Sequence, residues 1–313
     1  MRYIAGRLIQ SLVTLFLFMV VIFVATRAAG DPAQILLPAD ATAIEIAEAQ
    51  RRFGTDKPYG EQFLLFLEGM VTFDFGRSIV FREPVGDLLV DRVGNSLALA
   101  GVALALVMAT AIPLGVLAAT RRGRQSDHLV RAIAAFTQAA PGFWVGLMLI
   151  QVFAVQLRLL PAGGAGGAES MGWEFFILPA VTLGTSLFPG LTRLLRSSML
   201  ENLDAEFVKL ARAKGLSEAR VIWVHVFRNA LVPVLTLMTL WVGTAVAGSV
   251  VTETVFNWPG IGSLFLQSIV TRDFPVIQAV VGLLAAAVLL VNLLADLLYA
   301  VVDPRIRIGG GTR

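Results

Sequence analysis

Six long apolar blocks run through the sequence, at 8–25, 96–119, 132–157, 176–191, 230–251 and 276–302. An α-helix of about 20 such residues is what crosses roughly 30 Å of hydrocarbon. Backbone N–H and C=O groups find no water inside a bilayer, so blocks of this kind are predicted to be helices. The composition agrees: of 313 residues 57% are hydrophobic and 15% charged, more apolar surface than a soluble core of that length buries. A seventh stretch, 261–270, lies between Pro259-Gly260 and Pro275 and is about half the spanning length, which predicts a re-entrant or interfacial segment. The expected fold class is therefore all-α, a polytopic membrane protein of about six transmembrane helices.

Basic residues near helix ends stay cytoplasmic, so their distribution sets the orientation. Arg2 and Arg7 precede the first block; Arg121, Arg122, Arg124 and Arg131 follow the second; seven basic residues fall between Arg193 and Arg228; Arg305, Arg307 and Arg313 end the chain. These segments, both termini included, are expected in the cytoplasm. The first block is long for a signal peptide, and Arg27 spoils a small-residue cleavage site. Cysteine is absent, which excludes disulfides, iron–sulfur clusters and thiol chemistry within the chain. His128 and His225 sit in or beside basic segments and do not make a metal site.

The expected organisation is a first helix with its leader at 1–28, an outer region at 29–94, a membrane core at 95–302 with a structured loop at 193–229, and a tail at 303–313. The outer region holds eleven acids against six bases, a charged surface for a docking partner. Its stretch 41–53 reads as a short helix, and 63–67 and 85–90 as helices lying near the outer surface. The glycine run at 163–167 is a loop, and no 20–50-residue repeat is visible.

The informative segment is 193–233. Asp204 can cap a helix there, Glu206 suits its first turn, Lys209, Arg212 and Lys214 suit its end, and Gly215 supplies a left-handed cap. That predicts a helix of about eleven residues, with Phe207, Leu210 and Ala211 forming one apolar face. Such a helix lies on a surface.

EFVKLARAKGLS followed by RNALVP resembles the EAA-type loop of permeases in ATP-binding-cassette (ABC) importers, in the variant of the dipeptide and oligopeptide branch. Lys209 stands where the general pattern has Glu, which matches that branch. Further resemblance lies in GDP at 30–32, DKP at 56–58, ILPAVTLG at 177–184, ETVFNWPGIG at 253–262, RDFP at 272–275 and DLLYAVVDPRIR at 296–307. VTFDFGRS at 71–78 and Asn95-Ser96, in or beside the outer region, depart from the family's habit. The resemblance is to the member of the permease pair with the longer outer loop. It implies a coupling helix that docks on an ATPase through Glu206, Phe207, Leu210, Ala211, Ala213 and Gly215. It also implies a second permease subunit, two ABC ATPase subunits, an extracytoplasmic solute-binding protein and surrounding membrane lipid as partners, with no nucleic acid, in a bacterial inner membrane.

No G-x-x-x-x-G-K-[ST] occurs, so no cofactor is expected in this chain and ATP with magnesium belongs on the partner ATPases. The implied cargo is a dipeptide or oligopeptide, with nickel, glutathione or an oligosaccharide as alternatives. An ion-driven secondary transporter would show inverted repeats, and an intramembrane enzyme a reactive constellation within the spans. In the last block Asn292, Asp296, Tyr299 and Asp303 share one helical face. The first three are candidate pathway or gate residues, with solvation of the acids near the cytoplasmic interface the favoured alternative. Gly142 and Gly146 suggest close helix packing, and Pro113, Pro141, Pro179 and Pro189 suggest kinked or loosened helices.

Overall fold

The computed structural model describes residues 2–31, 41–164 and 172–302, with side chains described for all of these but 2–5, 52–53, 239–240, 242–248, 292 and 294–302. Regular structure among the described residues is helical, apart from one isolated antiparallel bridge between Arg77 and Pro84. Among the described residues five helices are long and apolar enough to cross a membrane, or six if one bent pair counts as a single span. The tail at 303–313 lies outside the described residues.

α1 is Arg2–Ala28. In the outer region, α2 (Ala43–Phe53) opens on a Thr42/Glu45 capping box and ends on Gly54 at φ 65, so both ends satisfy orphan backbone groups locally. α3 is Tyr59–Thr72. The helix expected to lie flat at 85–90 is instead the first turns of α4, Val85–Thr120. Nothing between Gly86 and Ser96 breaks a helix, and 36 residues extend about 54 Å, well beyond a bilayer core.

The block expected as one span at 132–157, kinked or loosened at Pro141, is broken outright. α5 (Gln125–Ala139) and α6 (Gly142–Leu149), which continues as a π-helix over Ile150–Gln156, meet at 101°. Pro141 has no N–H to give and holds Ala140 extended (φ −76, ψ 127), which ends α5. α7 (Glu174–Leu203) runs well past the expected end at 191 and carries Arg193 and Arg196 within the helix. α8 is Glu206–Ala213; a short turn at Glu218–Arg220 and a π-helix at Val221–Val226 then lead into α9, Phe227–Val255. The short α10 (Ile261–Thr271) precedes α11 (Phe274–Val302).

The chain divides into two compact units, one of residues 1–95 with 260–313 and one of residues 96–259. In the first, α1 packs against α3 and α11. Phe23 and Phe63 meet edge-on at 5.2 Å between ring centroids, and the Gln278 amide donates to the Thr26 hydroxyl at 2.7 Å. In the second, α7 packs against α5, α6 and α9 around a core that includes Leu191, Leu195, Met199, Val221 and Val234. Gly146 lets α6 approach closely, since a Cβ there would stand 3.2 Å from Phe256, Thr182 and Val255.

Candidate functional site

The segment between α7 and α9 holds the predicted coupling residues. Asp204, expected to cap the following helix, is instead the C-cap of α7 (φ −86, ψ −4), because α7 persists to Leu203. Ala205 turns extended and starts α8 without a side-chain cap, so α8 has eight residues rather than about eleven. Glu206 at its first turn pairs with Lys209, Oε1 to Nζ at 2.7 Å, and complements the helix dipole. At the other end Gly215 takes φ 76. Its N–H donates to the Arg212 carbonyl at 2.9 Å and the Leu216 N–H donates to that of Ala211 at 3.3 Å, the two bonds of a Schellman cap. Glu218 accepts from Arg212 Nε and Nη2 at 2.8 and 3.2 Å. That hydrogen bond raises the Arg212 pKa above its ordinary value, so the guanidinium stays charged at neutral pH.

The apolar residues of α8 split between two faces, where the sequence had suggested one. Val208 and Ala211 are buried and join the core of Leu195, Met199 and Val221. Phe207 and Leu210 are 40% and 57% exposed. The reason is the i, i+3 spacing of each pair, which places 208 and 211 on one line and 207 and 210 on another. Ala211 therefore holds α8 to its own unit, while Glu206, Phe207, Leu210, Ala213 and Gly215 stand at the surface. On the π-helix that packs beside α8, Trp223 and Val224 are also about half exposed.

Behind this helix a buried ion pair ties α5 to α7. Asp127 is 1% exposed, and Arg196 grips it bidentately, Nε to Oδ1 at 2.8 Å and Nη2 to Oδ2 at 2.9 Å. The Gly123 N–H donates to Oδ2 at 3.0 Å. A carboxylate so enclosed is stable only when its lone pairs are filled.

Two further buried carboxylates lie in stretches that carry the family resemblance, and sequence reasoning gave them no role. Glu253, in ETVFNWPGIG, accepts from the hydroxyls of Ser96 at 2.6 Å and Ser249 at 2.7 Å. Asp273, in RDFP, accepts from the Ser78 hydroxyl at 2.5 Å and from the N–H groups of Val80 at 3.1 Å and Ile79 at 3.3 Å. It thereby clamps the 78–82 turn onto the junction of α10 and α11. The side chains of Asn292, Asp296 and Tyr299 lie outside the described residues.

Residues 111–308 match the family described as binding-protein-dependent transport system inner membrane component, and residues 1–100 match its N-terminal counterpart. The chain is 38% identical over 308 residues to the glutathione transport system permease protein GsiC of Escherichia coli strain K12, covering 98% of this chain and 99% of that one. It is 40% identical over 314 residues to the oligopeptide transport system permease protein AppB of Bacillus subtilis strain 168, covering 97% and 98%. Among solved structures, the inward-facing MetNI methionine ABC transporter matches with a TM-score of 0.57 at 22% identity, over 69% of this chain and 96% of that one. An amino acid ABC transporter solved with histidines matches with a TM-score of 0.54 at 13% identity, over 68% and 92%. These two likenesses concern the fold.

Proposed function

Because the chain belongs to the family of binding-protein-dependent transport system inner membrane components, we propose that it is the membrane-spanning half of a translocation pathway for small peptides, driven through α8 by a partner ATPase. The observation that carries the coupling role is the two-faced α8. Val208 and Ala211 root it in its own unit, while Phe207 and Leu210 offer apolar surface outward, the mark of an unfilled interface. Peptide cargo, glutathione included, is supported by the named transport systems of the relatives, which match along nearly the whole chain.

In this reading ATP and magnesium sit on two ATPase subunits, a second permease completes the pathway, and both termini face the cytoplasm. ATP-driven closure of the ATPases moves α8 as a lever rooted in the α7–α9 core. The spanning helices then alternate between the two sides to receive cargo from the binding protein. This subunit hydrolyses nothing itself. The test is uptake of a labelled dipeptide and of labelled glutathione by cells carrying the complete system. Depleting ATP while the proton gradient is held should stop uptake, and Phe207→Asp with Leu210→Asp should do the same at normal ATP. Uptake that follows the proton gradient and ignores ATP points instead to an ion-driven carrier.

A further inference from the structure

In the first unit a cleft of about 830 Å³ opens between the end of α1, α3, the 74–82 turn and the start of α11. Its charged lining is Arg27, Arg77 and Arg82 against Asp74. Asp74 is already occupied in part, accepting from the Gly76 N–H at 3.2 Å, and Arg77 Nη2 donates to the Arg82 carbonyl at 2.6 Å. Two buried polar atoms on this lining have no partner: the Nε–H donor of Arg27 and the Oε1 acceptor of Gln62, a residue only 5% exposed. Gln62 is held in place from its other side, Nε2 donating to the Thr55 and Lys57 carbonyls at 3.3 and 2.6 Å.

A second, apolar groove of about 270 Å³ shares Met70 and Phe75 with this cleft and runs between α1, α3 and α11, along Leu12, Phe16, Leu67 and Ala286. Leu12 and Phe16 remain about half exposed, and Val71 and Phe73 more so. Arg27 and Leu12 stand fifteen positions apart on α1, about 22 Å at 1.5 Å per residue, which spans the roughly 15 Å depth of one leaflet. A cationic cleft at the end of an exposed apolar groove suits a ligand with an anionic head and a hydrocarbon tail.

We infer that this cleft and groove together bind one phospholipid whose headgroup is an anionic phosphodiester bearing a free hydroxyl, as in phosphatidylglycerol. The Arg27 guanidinium donates to the phosphate, with Arg77 and Arg82 adding charge at the rim. The headgroup hydroxyl donates to Gln62 Oε1, and the acyl chain lies along Leu12 and Phe16. The occupant is a lipid rather than a soluble anion because the cleft continues into an exposed apolar groove, which a soluble anion would leave uncovered. The site stands without the transport reading; its assignment to the outer leaflet rests on the orientation proposed above.

The full-length chain, purified in mild detergent, should be titrated with phosphatidylglycerol, phosphatidic acid and phosphatidylcholine while bound lipid is counted by native mass spectrometry. Wild type should retain phosphatidylglycerol most strongly. Arg27→Gln combined with Arg77→Gln should lower that affinity about tenfold and level it with phosphatidylcholine, whereas Arg27→Lys should keep most of it. Ala286→Phe, which fills the groove, should weaken retention of all three lipids, and unchanged helicity by circular dichroism checks that the variants fold. Equal retention of the three lipids by wild type overturns the inference. So does phosphatidylglycerol affinity unchanged in the Arg27/Arg77 double variant, or displacement of the lipid by a soluble dipeptide, which would give the cleft to cargo. Because lipid retention is read without transport, failure here is separable from failure of the transport reading.

Discussion

Gly215 adopts φ 76, and a Cβ added there would meet nothing within 4 Å in this chain. The cost of a side chain within the subunit is therefore backbone strain alone, about 1–2 kcal/mol for most residues and less for Asn. Gly215→Asn should leave the melting temperature of the purified subunit nearly unchanged, and Gly215→Val should lower it. If the ATPase approaches this turn closely, both substitutions cut uptake alike, because the partner meets the added atoms either way. Asp273 poses the opposite case. Its two oxygens take three donors, and Asn offers one acceptor oxygen in their place. Asp273→Asn should cost about 1–3 kcal/mol and release the 78–82 turn, read as faster amide exchange at Ile79 and Val80; exchange at the wild-type rate counts against the clamp. The sequence marks Glu253 and Asp273 only as members of familiar stretches. Ser249 stands four positions before Glu253 on α9, but Ser96 and Ser78 lie 157 and 195 positions from Glu253 and Asp273, and no local periodicity reports bonds of that range.

At the scale of elements, what was legible followed from local rules. The length of the apolar blocks announced the long helices, the short stretch after Pro259-Gly260 became α10, and a glycine placed after a charged amphipathic run became the end of α8. What escaped depended on competition between neighbours. Ala140-Pro141 ends α5 because proline withholds a donor and restrains the residue before it, yet hydropathy runs through the break uninterrupted. α7 overran its expected end because Arg193 and Arg196 find partners on α5, Gln138 for the first and Asp127 for the second, so a charged stretch stays helical. The division of α8 into an inner and an outer face does not show in the spacing of Phe207, Leu210 and Ala211, because Val208, off that line, forms the inner face together with Ala211.

For the whole molecule, the family places the chain in the inner membrane as one component of an importer, and the likeness to solved ABC transporters extends over about two thirds of it. In the proposed function α8 is where this subunit meets its ATPase. The natural absence of cysteine makes a clean probe possible, since Leu210→Cys would carry the sole thiol and sits on the exposed line of α8. A photoactivatable maleimide at that thiol, in membranes holding the assembled transporter, should capture the ATPase subunit in a yield that changes when ATP is added. The same label at Val208→Cys, on the buried line, should react poorly and capture none. Efficient labelling at position 210 with no ATPase in the cross-linked product would rule out α8 as the contact.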